Sequence, residues 1–161
     1  MGLRRTAITV GVASLGFLAC VPAPAARDDT AVRREVGAYA DTIVLDLRRD
    51  GPRAWLRHFK RTPAFFMASD GQLEFPDNDF ADVFMEDLAG RVISMDRQWG
   101  ELRVDPLTST LAVFATPFHE VVTNPTGTAL RFDGYLTAVA KRDSSGWKLR
   151  NAHWSLATGN D

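Results

Sequence analysis

Three histidines, two tyrosines and a single cysteine are the side chains of this 161-residue chain best suited to proton transfer or nucleophilic attack. His153 is the most suggestive. It stands in Trp147-Lys148-Leu149-Arg150-Asn151-Ala152-His153-Trp154-Ser155, a stretch that reads as one β-strand near the end of the chain. An imidazole with an ordinary pKa of about 6.5 can both give and take a proton near neutrality. Asp133 or Glu120 could orient it as a carboxylate partner. The alternative is a core histidine bonded to Tyr135, to a backbone carbonyl or to water. Tyr39, on the buried face of the first helix, is the second catalytic candidate; it either donates a hydrogen bond into a pocket or packs. His58 and His119 complete the histidines, with no close-spaced ligand pair and no Cys inside the folded part, so no metal site is expected. The chain has no Gly-rich phosphate loop and no Gly-x-Ser-x-Gly elbow. No cofactor is expected.

These residues need elements to place them. Alternation in the last strand puts Trp147, Leu149, Asn151, His153 and Ser155 on one face, and Lys148, Arg150, Ala152, Trp154 and Leu156 on the other. The face with Lys148 and Arg150 is the natural outer one. Asn151, His153 and Ser155 are then expected to look toward the helices. Trp154 would look outward, marking an interface between copies.

The helices come first. From Thr30, a plausible N-cap, Val32, Val36, Tyr39, Ile43 and Leu47 form one face of an amphipathic helix. Asp50-Gly51-Pro52 breaks it, and Pro52 opens a second short helix carrying Trp55, Leu56 and Phe59. Asp77-Asn78-Asp79 supplies caps for a third, with Phe80, Val83, Phe84, Leu88 and Val92 as its apolar face. Strands are expected at Ala64–Ala68, Gln72–Phe75, Met95–Val104, Leu111–Val122, Thr128–Lys141 and Trp147–Ala157, with turns at Ser69-Asp70-Gly71, Asn124-Pro125-Thr126-Gly127 and Asp143-Ser144-Ser145-Gly146. Helices followed by hairpin-linked strands predict an α+β domain with a meander-like antiparallel sheet.

The first 26 residues read differently. Met1–Arg5 is short and basic, Thr6–Ala19 is apolar or small, and Pro and Ala follow, the pattern of a secretory signal and linker. Phe17-Leu18-Ala19-Cys20 resembles a bacterial lipobox, so Cys20 is a candidate lipidation site and membrane tether. The rival is cleavage after Ala23-Pro24-Ala25, which releases a soluble protein. Either outcome implies a bacterial protein exported to the periplasm, the membrane or the medium. The full chain is 45 % hydrophobic and 24 % charged, with a net charge of −1. That suits one domain with a full core and gives nucleic acid nothing to bind.

Gly134-Tyr135-Leu136-Thr137-Ala138-Val139-Ala140-Lys141, the turn to Gly146-Trp147-Lys148-Leu149, and His153-Trp154-Ser155 together resemble the closing hairpin of SnoaL-like domains. So do the long helix to Asp50, Ala54-Trp55-Leu56, Phe59, the strand ending Ser69-Asp70-Gly71, and Leu111-Ala112-Val113. These domains belong to the nuclear-transport-factor-2-like (cystatin-like cone) superfamily, and the match spans residues 30–158. The resemblance implies a curved antiparallel sheet wrapped around three N-terminal helices, a conical pocket, and a homodimer through the outer sheet face. It also puts Tyr135, Thr137 and Val139 inward. The pocket wall would then hold Trp55, Phe59, Phe65, Met67, Phe84, Trp99, Tyr135, Thr137, Asn151 and His153. Ketosteroid isomerases of this fold place an Asp base on the first long strand. Phe65-Phe66-Met67-Ala68 has no acid, and the position of their helix tyrosine falls near Ile43 rather than Tyr39, so that mechanism does not carry over. Three functions remain: binding of a small apolar or aromatic molecule, cofactor-independent acid–base catalysis by His153, and a scaffold with a filled cone.

Overall fold

The structure, a computed structural model, describes residues 28–157. The leader and Cys20 lie outside them.

Helix α1 (Asp29–Asp50) is capped by Asp28, whose carboxylate accepts from Ala31 N at 2.9 Å. The cap is thus two residues before the expected Thr30. An acidic side chain there satisfies a free N–H and opposes the positive end of the helix dipole. Val32, Val36, Tyr39, Ile43 and Leu47 are all buried, as their spacing predicts. Gly51, with φ 65°, takes the left-handed turn that ends the helix. A 3-10 turn (Gly51–Arg53) leads into α2 (Ala54–His58), which buries Trp55.

Helix α3 (Asn78–Arg91) is capped by Asp77. Its buried residues are Ala81 and Met85, whereas the expected face residues Phe80 and Val83 are exposed and Phe84 and Leu88 half-buried. The helix packs sideways on the 3-10 turn, α2 and the short second strand rather than lying flat on the sheet. A small side chain, Ala81, therefore takes the closest position.

Seven strands complete the fold, the first two before α3 and the rest after it: β1 (Phe66–Ser69), β2 (Gln72–Phe75), β3 (Ser94–Trp99), β4 (Arg103–Thr108), β5 (Leu111–Thr123), β6 (Ala129–Asp143) and β7 (Gly146–Leu156). They form one open sheet in the order β2-β1-β7-β6-β5-β3, with β4 also paired to β5. The sheet is mixed, because β1 runs parallel to β7. The expected single strand Met95–Val104 is two strands laid end to end along β5, β3 against Phe118–Thr123 and β4 against Leu111–Ala115. The interruption faces Pro117, which accepts from Gly100 N at 2.8 Å but has no N–H to return. Only glycine fits there, since a Cβ on residue 100 would stand 2.5 Å from the Pro117 ring.

Strand β5 buries its even-numbered residues from Ala112 to Glu120. Pairing carries that parity into β6: Ala112 faces Ala140, Phe114 faces Ala138 and Thr116 faces Leu136. Leu136, Ala138 and Ala140 therefore point inward, and Tyr135 and Thr137 are exposed on the outer face, opposite to the expectation. In β7 the parity changes midway. Ala140 pairs with Leu149 but Val139 pairs with Asn151, leaving Arg150 as the extra residue of a β-bulge. Trp147 and Leu149 are buried before it, Ala152 after it, and His153 is exposed.

Candidate functional site

A cavity of about 230 Å³ lies between the inner face of the sheet and helices α2 and α3. Trp55 and Phe59 close it from α2 and its end, and Phe84, Met85 and Leu88 from α3. Met67, Leu136, Leu149, Ala152 and Trp154 form the sheet wall. Glu74 and Phe75 of β2 stand at one end of the sheet order; Met95 and Arg97 of β3 and Glu120 of β5 stand at the other. A mostly apolar lining with a few fixed polar groups is the usual form of a small-molecule site.

Arg97 and Glu120 face each other in register on β3 and β5. Arg97 Nε donates to Glu120 Oε1 at 2.8 Å and Nη2 to Oε2 at 2.9 Å. Both residues are buried, with 9 % and 7 % of their surface exposed. The guanidinium also lies 4.3 Å from the Phe118 ring centre and 5.1 Å from those of Trp55 and Trp99. A planar cation among π faces, held by a two-point carboxylate, is the arrangement in which a buried charge is best compensated. In the sequence, the signal is a charge of opposite sign at one inward position on each of two paired strands: Met95-x-Arg97-x-Trp99 and Thr116-x-Phe118-x-Glu120.

Of the residues expected in the pocket wall, the cavity brings together Trp55, Phe59, Met67 and Phe84. Phe65 is buried behind the wall, its ring 5.2 Å from that of Phe59. Trp99 lies beyond Arg97 and donates its indole N–H to Ala40 O at 2.8 Å. Asn151 donates to Ala64 O at 2.8 Å, tying β7 to the segment before β1. Tyr135, Thr137 and His153 share the outer face. The bulge at Arg150 is the reason for His153, and the same shift carries Trp154 from the expected outer face into the cavity wall. Neither suggested carboxylate partners His153: Asp133 pairs with His119 at 2.9 Å, and Glu120 with Arg97.

Tyr39 sits elsewhere again, along an open groove between α1, α2 and the β6–β7 turn. It is buried, and its hydroxyl donates to His58 O at 3.1 Å. Burial pushes the phenol pKa well up, so it stays a neutral donor. Beside it, His58 Nε2 donates to Asp46 Oδ2 at 3.0 Å, while Nδ1 is buried without a partner. His58 is 4 % exposed, and burial lowers its pKa despite the opposing pull of Asp46. The folded state therefore favours neutral imidazole. The stability this confers is present above about pH 6.5, the unfolded value, and is lost as pH falls from there through the lowered folded value. Urea midpoints from pH 8 to pH 5 should drop more steeply for the wild type than for His58→Gln. Parallel profiles would show that His58 titrates alike folded and unfolded.

Among the described residues, no group of three His, Cys, Asp or Glu side chains is placed to hold a metal ion.

No family model matches the sequence, and no curated protein matches it significantly. Solved structures do. A nuclear transport factor 2 (NTF2-like) superfamily protein from Salmonella enterica serovar Typhimurium is similar with a TM-score of 0.67 at 12 % identity, over 82 % of this chain and 95 % of that one. A hexachlorocyclohexane dehydrochlorinase (LinA, type 2) is similar with a TM-score of 0.63 at 8 % identity, over 80 % and 87 %. A ketosteroid isomerase-like protein from Erwinia carotovora atroseptica gives 0.59 at 15 % identity, over 78 % and 96 %. At such identities the likeness concerns the fold. The order of helices and strands, the mixed open sheet and these superpositions lead to one statement: the chain has the nuclear-transport-factor-2-like fold, the α+β cone of the SnoaL-like domains.

Proposed function

We propose that this domain binds a small, mostly apolar molecule in the cavity between sheet and helices. The cavity itself is the observation that supports the reading: about 230 Å³, walled by Trp55, Phe59, Phe75, Phe84 and Trp154. An apolar cavity of about 150 Å³ already holds benzene, so this one suits a molecule of one or two rings. It lies somewhat below the range of about 300–1,000 Å³ usual for ligand sites, which points to a molecule at the small end, and space of this size disfavours a filled cone. Chemistry has less support. The dehydrochlorinase and isomerase-like relatives of the fold invite an acid–base reading, but no histidine lines the cavity among the described residues, and Glu120 is held by Arg97. The leader's residues support export, with Cys20 as the tether. The outer sheet face, with Phe66, Tyr135, Thr137 and His153 exposed, is the surface assigned to a second copy.

Filling the cavity tests the reading. Ala152 sits in its wall, so Ala152→Phe, or the smaller Ala152→Leu, should occupy the space. Indole should show saturation transfer from the wild-type protein and lose it in whichever variant keeps the wild-type circular dichroism. No transfer from the wild type, or equal transfer from the filled variant, overturns the proposal. Light scattering on the same samples reads whether the protein is a dimer.

A further inference from the structure

The charges lining the cavity do not cancel. Arg97 and Glu120 neutralise each other at hydrogen-bond distance. Glu74 is the third charged residue in the lining, and it has no counter-ion: among the described residues, no lysine, arginine or histidine lies within ion-pair distance of it. It receives one hydrogen bond, from Ser69 Oγ to Oε2 at 3.1 Å. The arginines around α3 are taken, Arg53 by Glu86 and Arg61 by Asp82, both at 2.7 Å, and Arg91 by Asp87.

The backbone aims this carboxylate inward. Neighbours in a regular strand point to opposite faces, yet Glu74 and Phe75 both line the cavity. The cause is a β-bulge: Met67 pairs with Phe75 and Ala68 with Leu73, leaving Glu74 as the extra residue. Bulges re-aim side chains in this way. Rings line the same cavity. Phe75 lies 5.2 Å from Phe84 and 5.8 Å from Trp154, and Phe59 stands 6.2 Å away.

A carboxylate and several π faces in one cavity lack only a cation. The chain already completes that set once, where Arg97 lies over Phe118, Trp55 and Trp99 and against Glu120. Resting on the cavity reading above, we infer that the ligand is an organic monocation, a protonated amine on a one- or two-ring apolar body. Its ammonium pairs with Glu74 and its body lies against Phe75, Phe84 and Trp154. A neutral molecule would shield the carboxylate from water without replacing that hydration. An anion would meet a like charge. An amine gains the ion pair and the ring faces together.

Three probes of nearly one shape separate these cases: phenethylammonium, 2-phenylethanol and phenylacetate, titrated calorimetrically at pH 7 and low salt. The wild type should bind phenethylammonium at least about 10-fold more tightly than 2-phenylethanol, with phenylacetate weakest. Glu74→Gln keeps an acceptor for Ser69, so the fold should persist. It should bring the amine down to the affinity of the alcohol and leave the alcohol unchanged. If the alcohol or phenylacetate matches the amine, or Glu74→Gln leaves the amine unaffected, the cavity reading stands and the charge assignment falls. If no probe binds the wild type, the cavity reading falls and takes this one with it.

Discussion

Glu120→Leu should destabilise the domain by about 3–5 kcal/mol, because it leaves Arg97 buried and charged with no partner. Arg97→Met should cost a similar amount for the mirror reason. The pair removed together should recover most of the loss. Two desolvated ions are then replaced by apolar groups of comparable length, and Met suits a site walled by Trp55, Trp99 and Phe118. The measurement is urea unfolding of the four proteins at pH 7, followed by tryptophan fluorescence. The double-mutant cycle isolates the coupling. Single variants within about 1 kcal/mol of the wild type would mean that water reaches the pair, and the cavity would be wetter at that end than its lining implies. The result also bears on ligand charge. A pair that satisfies its own charges leaves Glu74 as the group without a counter-ion.

Phe75→Ala should cost about 3–5 kcal/mol, the range for losing a buried aromatic side chain. Phe75 is 2 % exposed, and the rings of Phe59, Phe80, Phe84 and Trp154 all lie within 6.5 Å of it. Its removal merges the vacated volume with the cavity instead of letting the walls collapse. It also frees β2, which is bonded to the sheet only through β1. Phe75→Leu keeps most of the volume and should cost less than half as much. Hydrogen exchange gives the second readout, since the amides of β2 should lose protection before those of β5 and β6. A cost below about 1 kcal/mol would show that β2 is already loosely held and that Glu74 is not fixed in place.

The long helix was legible because one rule acts over many residues. Val32, Val36, Tyr39, Ile43 and Leu47 repeat at helical spacing for most of its 22 residues, and all are buried. The hairpin turns were legible because Gly127 and Gly146 take φ 85° and 98°, values that select glycine. Helix α3 was harder: Phe80, Val83, Phe84 and Leu88 surround it with apolar side chains, so no single face announces itself. Trp55, Phe59 and Phe84, placed in a pocket wall through the resemblance to SnoaL-like domains, do line the cavity. Its polar residues were not legible. Arg97 finds Glu120 across 23 residues of sequence through strand register, and Glu74 is turned by a bulge that no propensity marks. Tyr135 and Thr137 went to the wrong face because parity in β6 is set by its pairing with β5, not by its own residues.

The extra residue at Arg150 acts on β7 as a single inserted base acts on a message: everything downstream is read in another frame. Upstream, odd-numbered positions are the interior; downstream, even-numbered ones are. Were β7 to run on past Leu149 without the bulge and with no residue removed, His153 and Ser155 would face the cavity and Ala152 and Trp154 the surface; loss of Arg150 itself would leave both halves facing as they do, in regular alternation. The chemical character of the interior thus depends on one unpaired residue, with no side chain substituted.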